Sequence, residues 1–215
     1  MTGQQRKTDG RRERSVLTRR NVVDAAAQLF LERGYVATTI EDVAERAGVA
    51  TQTVYYVFGT KPKLLAAVVD TSIAGDVEPV PVLERAWVEA LRQQQNVTSA
   101  IERLVDDSLA ILARVSPVYE VVRRAAADPE VSDLLETTRR RRRVDQRALI
   151  DVLANSGHLR ADVDADTAAD VLYGLMNEEV FQLFVGDCAW GIERFRAWVT
   201  SLMFEQLIGT HPPGS

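Results

Sequence analysis

A run of hydroxyl, amide and phenol side chains, Thr51-Gln52-Thr53 and then Tyr55-Tyr56, follows directly on Gly48-Val49-Ala50. Carried on a short helix, these groups suit duplex DNA. A glutamine can pair bidentately with adenine in the major groove, a threonine methyl can contact thymine, and hydroxyls and phenols reach phosphates. The competing reading makes both tyrosines core aromatics. Adjacent helical positions diverge by about 100 degrees, so the two cannot both be inside. Other chemistries find little to work with. The chain has two histidines, His158 and His211, and one cysteine, Cys188. It offers no HExxH, no Gly-rich phosphate loop, no Ser-His-Asp or Cys-His set, and no cluster at metal-ligand spacing. No catalytic residue, no metal and no cofactor is expected, and a lone cysteine forms no internal disulfide.

The elements that must position these side chains are legible around them. Val22, Ala26, Leu29 and Phe30 recur at helical spacing after Thr18, and Gly34 stands where that helix would stop. Thr39 is the expected N-cap of the next helix, with Glu41 and Asp42 at the positive end of its dipole and Gly48 as its stop. Ala44, Ala47 and Gly48 are small where a second helix would cross the first. Val43, Val49, Val54 and Phe58 are expected beneath it as core. Two short helices joined by a glycine turn have helix-turn-helix dimensions. Thr60 is expected to cap a fourth helix, with Pro62 tolerated in its first turn.

Gly34-Tyr35-Val36-Ala37-Thr38-Thr39-Ile40, Val43-Ala44, Ala47-Gly48-Val49, Thr53-Val54-Tyr55-Tyr56-Val57-Phe58, Lys61 and Leu64-Leu65 stand here in one register. Over about residues 17–66 this pattern resembles the N-terminal DNA-binding domain of TetR-family transcriptional regulators. The resemblance implies a positioning helix at 40–47 and a recognition helix at about 50–56. It puts Thr39 against a phosphate, Thr51 and Gln52 at base edges, and Thr53, Tyr55 and Tyr56 near the DNA backbone or thymine methyls. Lys61, at the start of the fourth helix, would hold a phosphate together with nearby backbone N–H groups. Two positions depart from the pattern. Ala50 replaces the usual capping serine, so Thr51 is expected to cap the recognition helix instead, and Val57 replaces a usual tyrosine or histidine.

Charge supports a polyanion partner for this end of the chain. The whole sequence of 215 residues is 46% hydrophobic and carries a net charge of −5. Residues 1–70 nonetheless have 11 Lys or Arg against 8 Asp or Glu, whereas 71–215 have 15 against 23. A protein that coats DNA without reading it would be basic throughout, and this one is not. Residues 1–16 are expected to form a flexible basic arm able to enter the flanking minor groove, and Arg19 and Arg20 are counted among the DNA contacts.

Beyond a break at Glu78-Pro79-Val80-Pro81, helical periodicity is expected over 82–95, 98–114, 117–127, 130–155, 165–185 and 190–208, interrupted at Asn96, Pro117, Pro129, Gly157 and Gly186. No stretch alternates with period two, so the fold class is all-α. The expected organisation is an arm at 1–16, a helix-turn-helix domain at 17–66, a larger helical effector-binding and dimerisation domain at 67–210, and a tail at 211–215. The last two helices are apolar most of the way round and must be covered on two sides. Leu172, Leu175, Met176, Phe184, Phe195, Trp198 and Leu202 are therefore expected to face an identical partner. Trp87, Leu91, Leu112, Tyr119 and Val122 are candidates to line a ligand cavity, with Asn177 offering a polar contact; ordinary core is the competing reading. Asn177, Glu178 and Glu179 interrupt an apolar helix and are expected at a solvent-facing edge or in an intersubunit hydrogen bond, with recognition of a polar group on an effector as the functional alternative. Arg139 to Arg143 wind round a helix and are expected to be solvated, paired with the acidic excess or snorkelling, with an anionic-effector site or a second DNA contact as the alternative.

No apolar run is long enough to span a membrane and no signal segment is recognised, so a cytoplasmic protein is expected. The expected function is a homodimeric, sequence-specific transcriptional repressor, released from a palindromic DNA operator by a small-molecule effector. The alternative is an all-helical ligand-binding protein or enzyme with no DNA-regulatory role.

Overall fold

A computed structural model describes residues 3–75, 81–155, 157 and 159–208, with the backbone alone at 3–12 and 82. His158, His211, most of the Glu78 to Pro81 break and the 211–215 tail lie outside the described residues. Among the described residues there is no strand, and no helix is long and apolar enough to cross a membrane. The chain divides into two units, one of Met1–Pro79 with Pro117–Leu135, the other of Val80–Ser116 with Glu136–Ser215.

In the first unit, α1 runs Gly3–Ala37, α2 Ile40–Ala47, α3 Thr51–Phe58 and α4 Lys61–Ala74. Helix α1 begins far earlier than the apolar pattern, so the backbone from Gly3 is helical where a flexible arm was expected. The segment is rich in Gln, Arg, Lys and Glu, which favour helix, and it extends a helix whose nucleation the buried Val22 to Phe30 segment already secures. At its other end α1 is broken by Gly34, at φ 81° and ψ 167°, a conformation open to glycine. Val22, Val23, Ala26, Leu29, Phe30, Val43, Ala44, Val54, Phe58, Leu64, Leu65 and Val68 are buried, and α1 packs on α2 and α4 while α3 packs on α2 and α4. Thr38, fully buried, donates from Oγ1 toward the carbonyls of Leu29 at 3.2 Å and Gly34 at 2.9 Å, tying the end of α1 to the entry of α2.

The second unit contains α5, Ala86–Arg92, together with α8, Ala165–Leu175; α9, Glu178–Phe181; and α10, Ile192–Met203. Two longer helices, α6 at Val97–Arg124 and α7 at Pro129–Asn155, have residues in both units. Pro117 was expected to end a helix, yet α6 continues through it. Proline deprives only the Ala113 carbonyl of its i+4 donor, and both residues lie on an exposed face where water replaces it. The unit boundary falls at this same residue. The core of the second unit is apolar, with Ile101, Leu104, Val105, Ile150, Leu153, Leu172, Phe195, Val199, Met203 and Leu207 among its most buried members.

The expected helix 165–185 is cut at Met176-Asn177. Asn177 caps α9, its Oδ1 accepting from the Glu179 N–H at 2.7 Å, and α9 runs on as a π-helical turn over Gln182–Asp187, through Gly186 where a break was expected. The cut redirects Glu178, which is only 6% exposed and not at a solvent-facing edge. It joins a ladder that accounts for the arginine run: Arg139 with Glu179 at 3.0 Å, Arg142 with Glu178, Arg143 with Asp170 at 2.8 Å, and Arg147 with Asp166. Rising positions on α7 meet falling positions on α9 and α8, so the seam is antiparallel.

The Thr38 clamp is testable by Thr38→Val, which keeps the shape and removes the donor. Unfolding free energy, measured by urea denaturation, should fall by about 1–3 kcal/mol; an unchanged midpoint would mean the two bonds contribute nothing.

Candidate nucleic-acid interface

Helix α2 is fixed at both ends. Thr39 Oγ1 accepts from the Asp42 N–H at 3.1 Å, and the Asp42 carboxylate accepts from the Thr39 N–H at 2.9 Å, a reciprocal capping box. These bonds from Thr39 hold the Asp42 carboxyl below its ordinary pKa. At the other end Gly48 adopts φ 67°, ψ 34°, its N–H donating to Glu45 and that of Val49 to Ala44 at 3.0 Å. This Schellman turn closes α2 and sets the direction of α3.

The N-cap of α3 is Ala50, with no side-chain cap. Thr51 does not take over that role: it is already the first helical residue, too far along for its hydroxyl to receive the N2 or N3 donors. The expectation of a capping Thr51 is thus corrected. Val54 and Phe58 are buried while Gln52, Tyr55 and Tyr56 are exposed, the last two by 48% and 91%. Thr51 and Thr53 are half-buried at the edge of this outward face, as is Val49, which was expected in the core.

Around the pair, Arg46 reaches Glu32 at 2.7 Å and Arg33 reaches Asp42 at 3.9 Å. Arg19 lies with its guanidinium 4.8 Å from the Phe58 ring centroid, bracing the end of α3 from α1, and the exposed Arg20 stands 3.7 Å from Asp24. Lys61 opens α4, which Thr60 caps through the Lys63 N–H at 3.3 Å. Its Nζ sits 4.3 Å over the Tyr35 ring and 3.4 Å from the Val36 carbonyl. Burial lowers the Lys61 pKa, opposed by the charges of Asp128 and Asp42. Burial raises that of Tyr35 to about 12, helped by Asp128 and Glu130. Thr38, Tyr35 and this acidic α6–α7 corner were not singled out from sequence, because their roles depend on packing between distant segments.

The predicted ligand residues fall in both units. Trp87, Leu91 and Leu112 belong to the apolar core of the second unit, Tyr119 and Val122 are buried in the first, and Asn177 is spent capping α9. Of the seven residues expected at a partner, Leu172, Met176 and Phe195 are fully used inside the protomer, because all three point into the core shared by α8, α9 and α10. Leu175, Phe184, Trp198 and Leu202 remain half-buried. Among the described residues, no three His, Cys, Asp or Glu side chains are grouped to hold a metal ion.

Residues 22–68 match the family described as bacterial regulatory proteins, tetR family. That span holds the whole capped α2, the glycine turn, α3 and the start of α4. Over this head the chain is similar to the TetR family. A helix-turn-helix transcriptional regulator of Bacillus subtilis, YdeS, is 24% identical over 76% of this chain and 78% of its own length. A helix-turn-helix transcriptional repressor of Mycobacterium tuberculosis is 39% identical, but over 30% of this chain and 38% of that relative, so the stronger likeness is confined to part of each protein. In fold, the structure of the Bacillus subtilis transcriptional regulator FadR in complex with stearoyl-CoA is similar with a TM-score of 0.64, 18% identity, and coverage of 89% and 98% of the two chains.

In this helix-turn-helix head the uncapped α3 is a measurable weakness. Ala50→Ser should raise unfolding free energy by about 0.5–2 kcal/mol, seen as a higher thermal midpoint; no gain would mean that backbone geometry excludes the cap.

Proposed function

We propose that this chain is a homodimeric repressor that reads a palindromic operator with α3 and leaves it when a small molecule binds the second unit. The observation that carries this reading is the division of α3, with Val54 and Phe58 anchored in the core and Gln52, Tyr55 and Tyr56 turned outward. In this reading Gln52 and Thr51 meet base edges, Thr53, Tyr55 and Tyr56 meet backbone or thymine methyls, and Thr39, Lys61, Arg19 and Arg20 meet phosphates. The Tyr35 ring holds Lys61 as a preset cation rather than a free surface lysine.

A partner surface is supported by apolar exposure in the second unit. Leu183 and Ile192 are exposed, next to half-buried Phe184, Trp190 and Trp198, whose rings lie 4.6–5.9 Å apart. A second copy would cover these side chains and present two α3 helices one helical turn of DNA apart. The relative in Mycobacterium tuberculosis is named a repressor and the similar Bacillus subtilis regulator holds an acyl-CoA, which supports repression and effector release here.

Three variants test the reading by fluorescence anisotropy across a salt series. Gln52→Ala should relax preference at one position of each half-site, worth about 1–3 kcal/mol of discrimination, leaving the salt slope intact. Lys61→Met should weaken all sequences alike and reduce that slope by about one ion per protomer. Leu183→Glu with Ile192→Glu should give a folded monomer by sedimentation, with operator affinity lost. A Gln52 variant that kept every base preference would remove α3 from base reading.

A further inference from the structure

The Arg142–Glu178 pair differs from the rest of the ladder. Glu178 is 6% exposed and the Arg142 side chain 18%, while every other acid in the ladder is open to solvent. Arg142 uses only Nη1 on Glu178, and its face lies 4.4 Å from the centroid of Tyr173. Its Nε and Nη2 are buried without an acceptor, and the Oε1 of Gln146, one turn further along α7 and itself 7% exposed, is buried without a donor. Desolvated donors and acceptors of this kind are costly unless something bonds them. The stripe continues along α7 into Leu149, Ile150 and Leu153 of the apolar core, and α9 passes at Gln182 into a π-helical turn, a feature frequent at functional sites.

Nε–H and Nη2–H form one edge of a guanidinium, a two-pronged donor. The same chain shows what that edge donates to. In Arg196 it takes both oxygens of Asp106, at 2.5 and 3.0 Å, and in Arg123 it converges on the single Oε2 of Glu120. At Arg142 the charge is already balanced by the buried Glu178, so anions are disfavoured there. A second carboxylate would add an uncompensated charge to a desolvated pair.

Resting on the reading that a small molecule controls this regulator, we propose that Arg142 and Gln146 form the polar end of its effector site. The ligand is an uncharged, mainly apolar molecule with a carbonyl oxygen for the Arg142 fork and an adjacent N–H or O–H for Gln146 Oε1, as in an amide or lactam. Glu178 and Tyr173 position the guanidinium.

The test titrates the full-length protein by calorimetry at neutral pH with three probes of one skeleton, octanamide, 2-octanone and octanoate. Octanamide should bind saturably at millimolar concentration or below, about tenfold tighter than the other two. Arg142→Lys keeps a cation opposite Glu178 but lacks the fork, and should lose about tenfold in octanamide affinity. Gln146→Leu keeps volume and removes no charge; it should erase the preference for octanamide over 2-octanone, and it keeps the test valid if Arg142→Lys unfolds. The unliganded thermal transition is the folding control. Preference for octanoate, octanamide binding untouched by either substitution, or no saturable octanamide binding would each overturn the proposal. Operator affinity measured on the same wild-type sample separates the two readings, since a protein that binds octanamide as described yet reads no operator would fault only the regulatory one.

Discussion

An eight-residue helix cannot hold itself together in water, because nucleation is unfavourable and so few bonds do not recover it. Helix α3 exists because its inner face is gripped, Val54 and Phe58 by the core and its origin by the left-handed turn at Gly48. One-sided support separates two tasks along a single short segment. Inward positions decide whether the helix forms, and outward positions are free to carry the chemistry of recognition. Thr38 and the Thr39–Asp42 box extend the same logic upstream, fixing the angle at which α2 leaves α1.

The second unit solves a different problem with charge. Exposed ion pairs contribute only about 0–1 kcal/mol each. The Arg139, Arg143 and Arg147 pairs therefore act mainly by fixing which turn of α7 faces which turn of α8 and α9. At Arg142 the seam goes underground, and the balance changes: a buried guanidinium with one bound edge and one unbound edge is stabilised by whatever supplies the missing acceptor. Under the proposed effector site, occupancy would be coupled to the register of α7 against α9, the kind of two-state element an effector can bias.

The helix-turn-helix was legible in the sequence because its signals are local. Thr39, Gly48, Thr60 and Pro62 act within a few residues of themselves, and all four occupy the predicted capping, turn or first-turn positions. Ala50 was recognised as a departure, but its consequence was misassigned to Thr51 because cap position depends on backbone dihedrals. What escaped was decided at long range. Pro117 reads as a break, yet its solvent-facing position lets α6 pass through it. Asn177-Glu178-Glu179 reads as a polar edge, yet capping by Asn177 turns Glu178 inward to an arginine 36 positions away. Leu172, Met176 and Phe195 read as interface residues because periodicity cannot tell a protomer core from the face of a dimer.

The central claim, that α3 reads sequence from a two-fold protein, is tested most directly by selecting binding sites from random duplexes with the purified full-length chain. Selected and scrambled duplexes are then compared across a salt series. The account predicts a palindromic consensus whose half-sites are one turn of DNA apart, with a specificity ratio that survives at high salt. Enrichment of no sequence by a folded protein, or binding whose preference vanishes as phosphate attraction is screened, would contradict it.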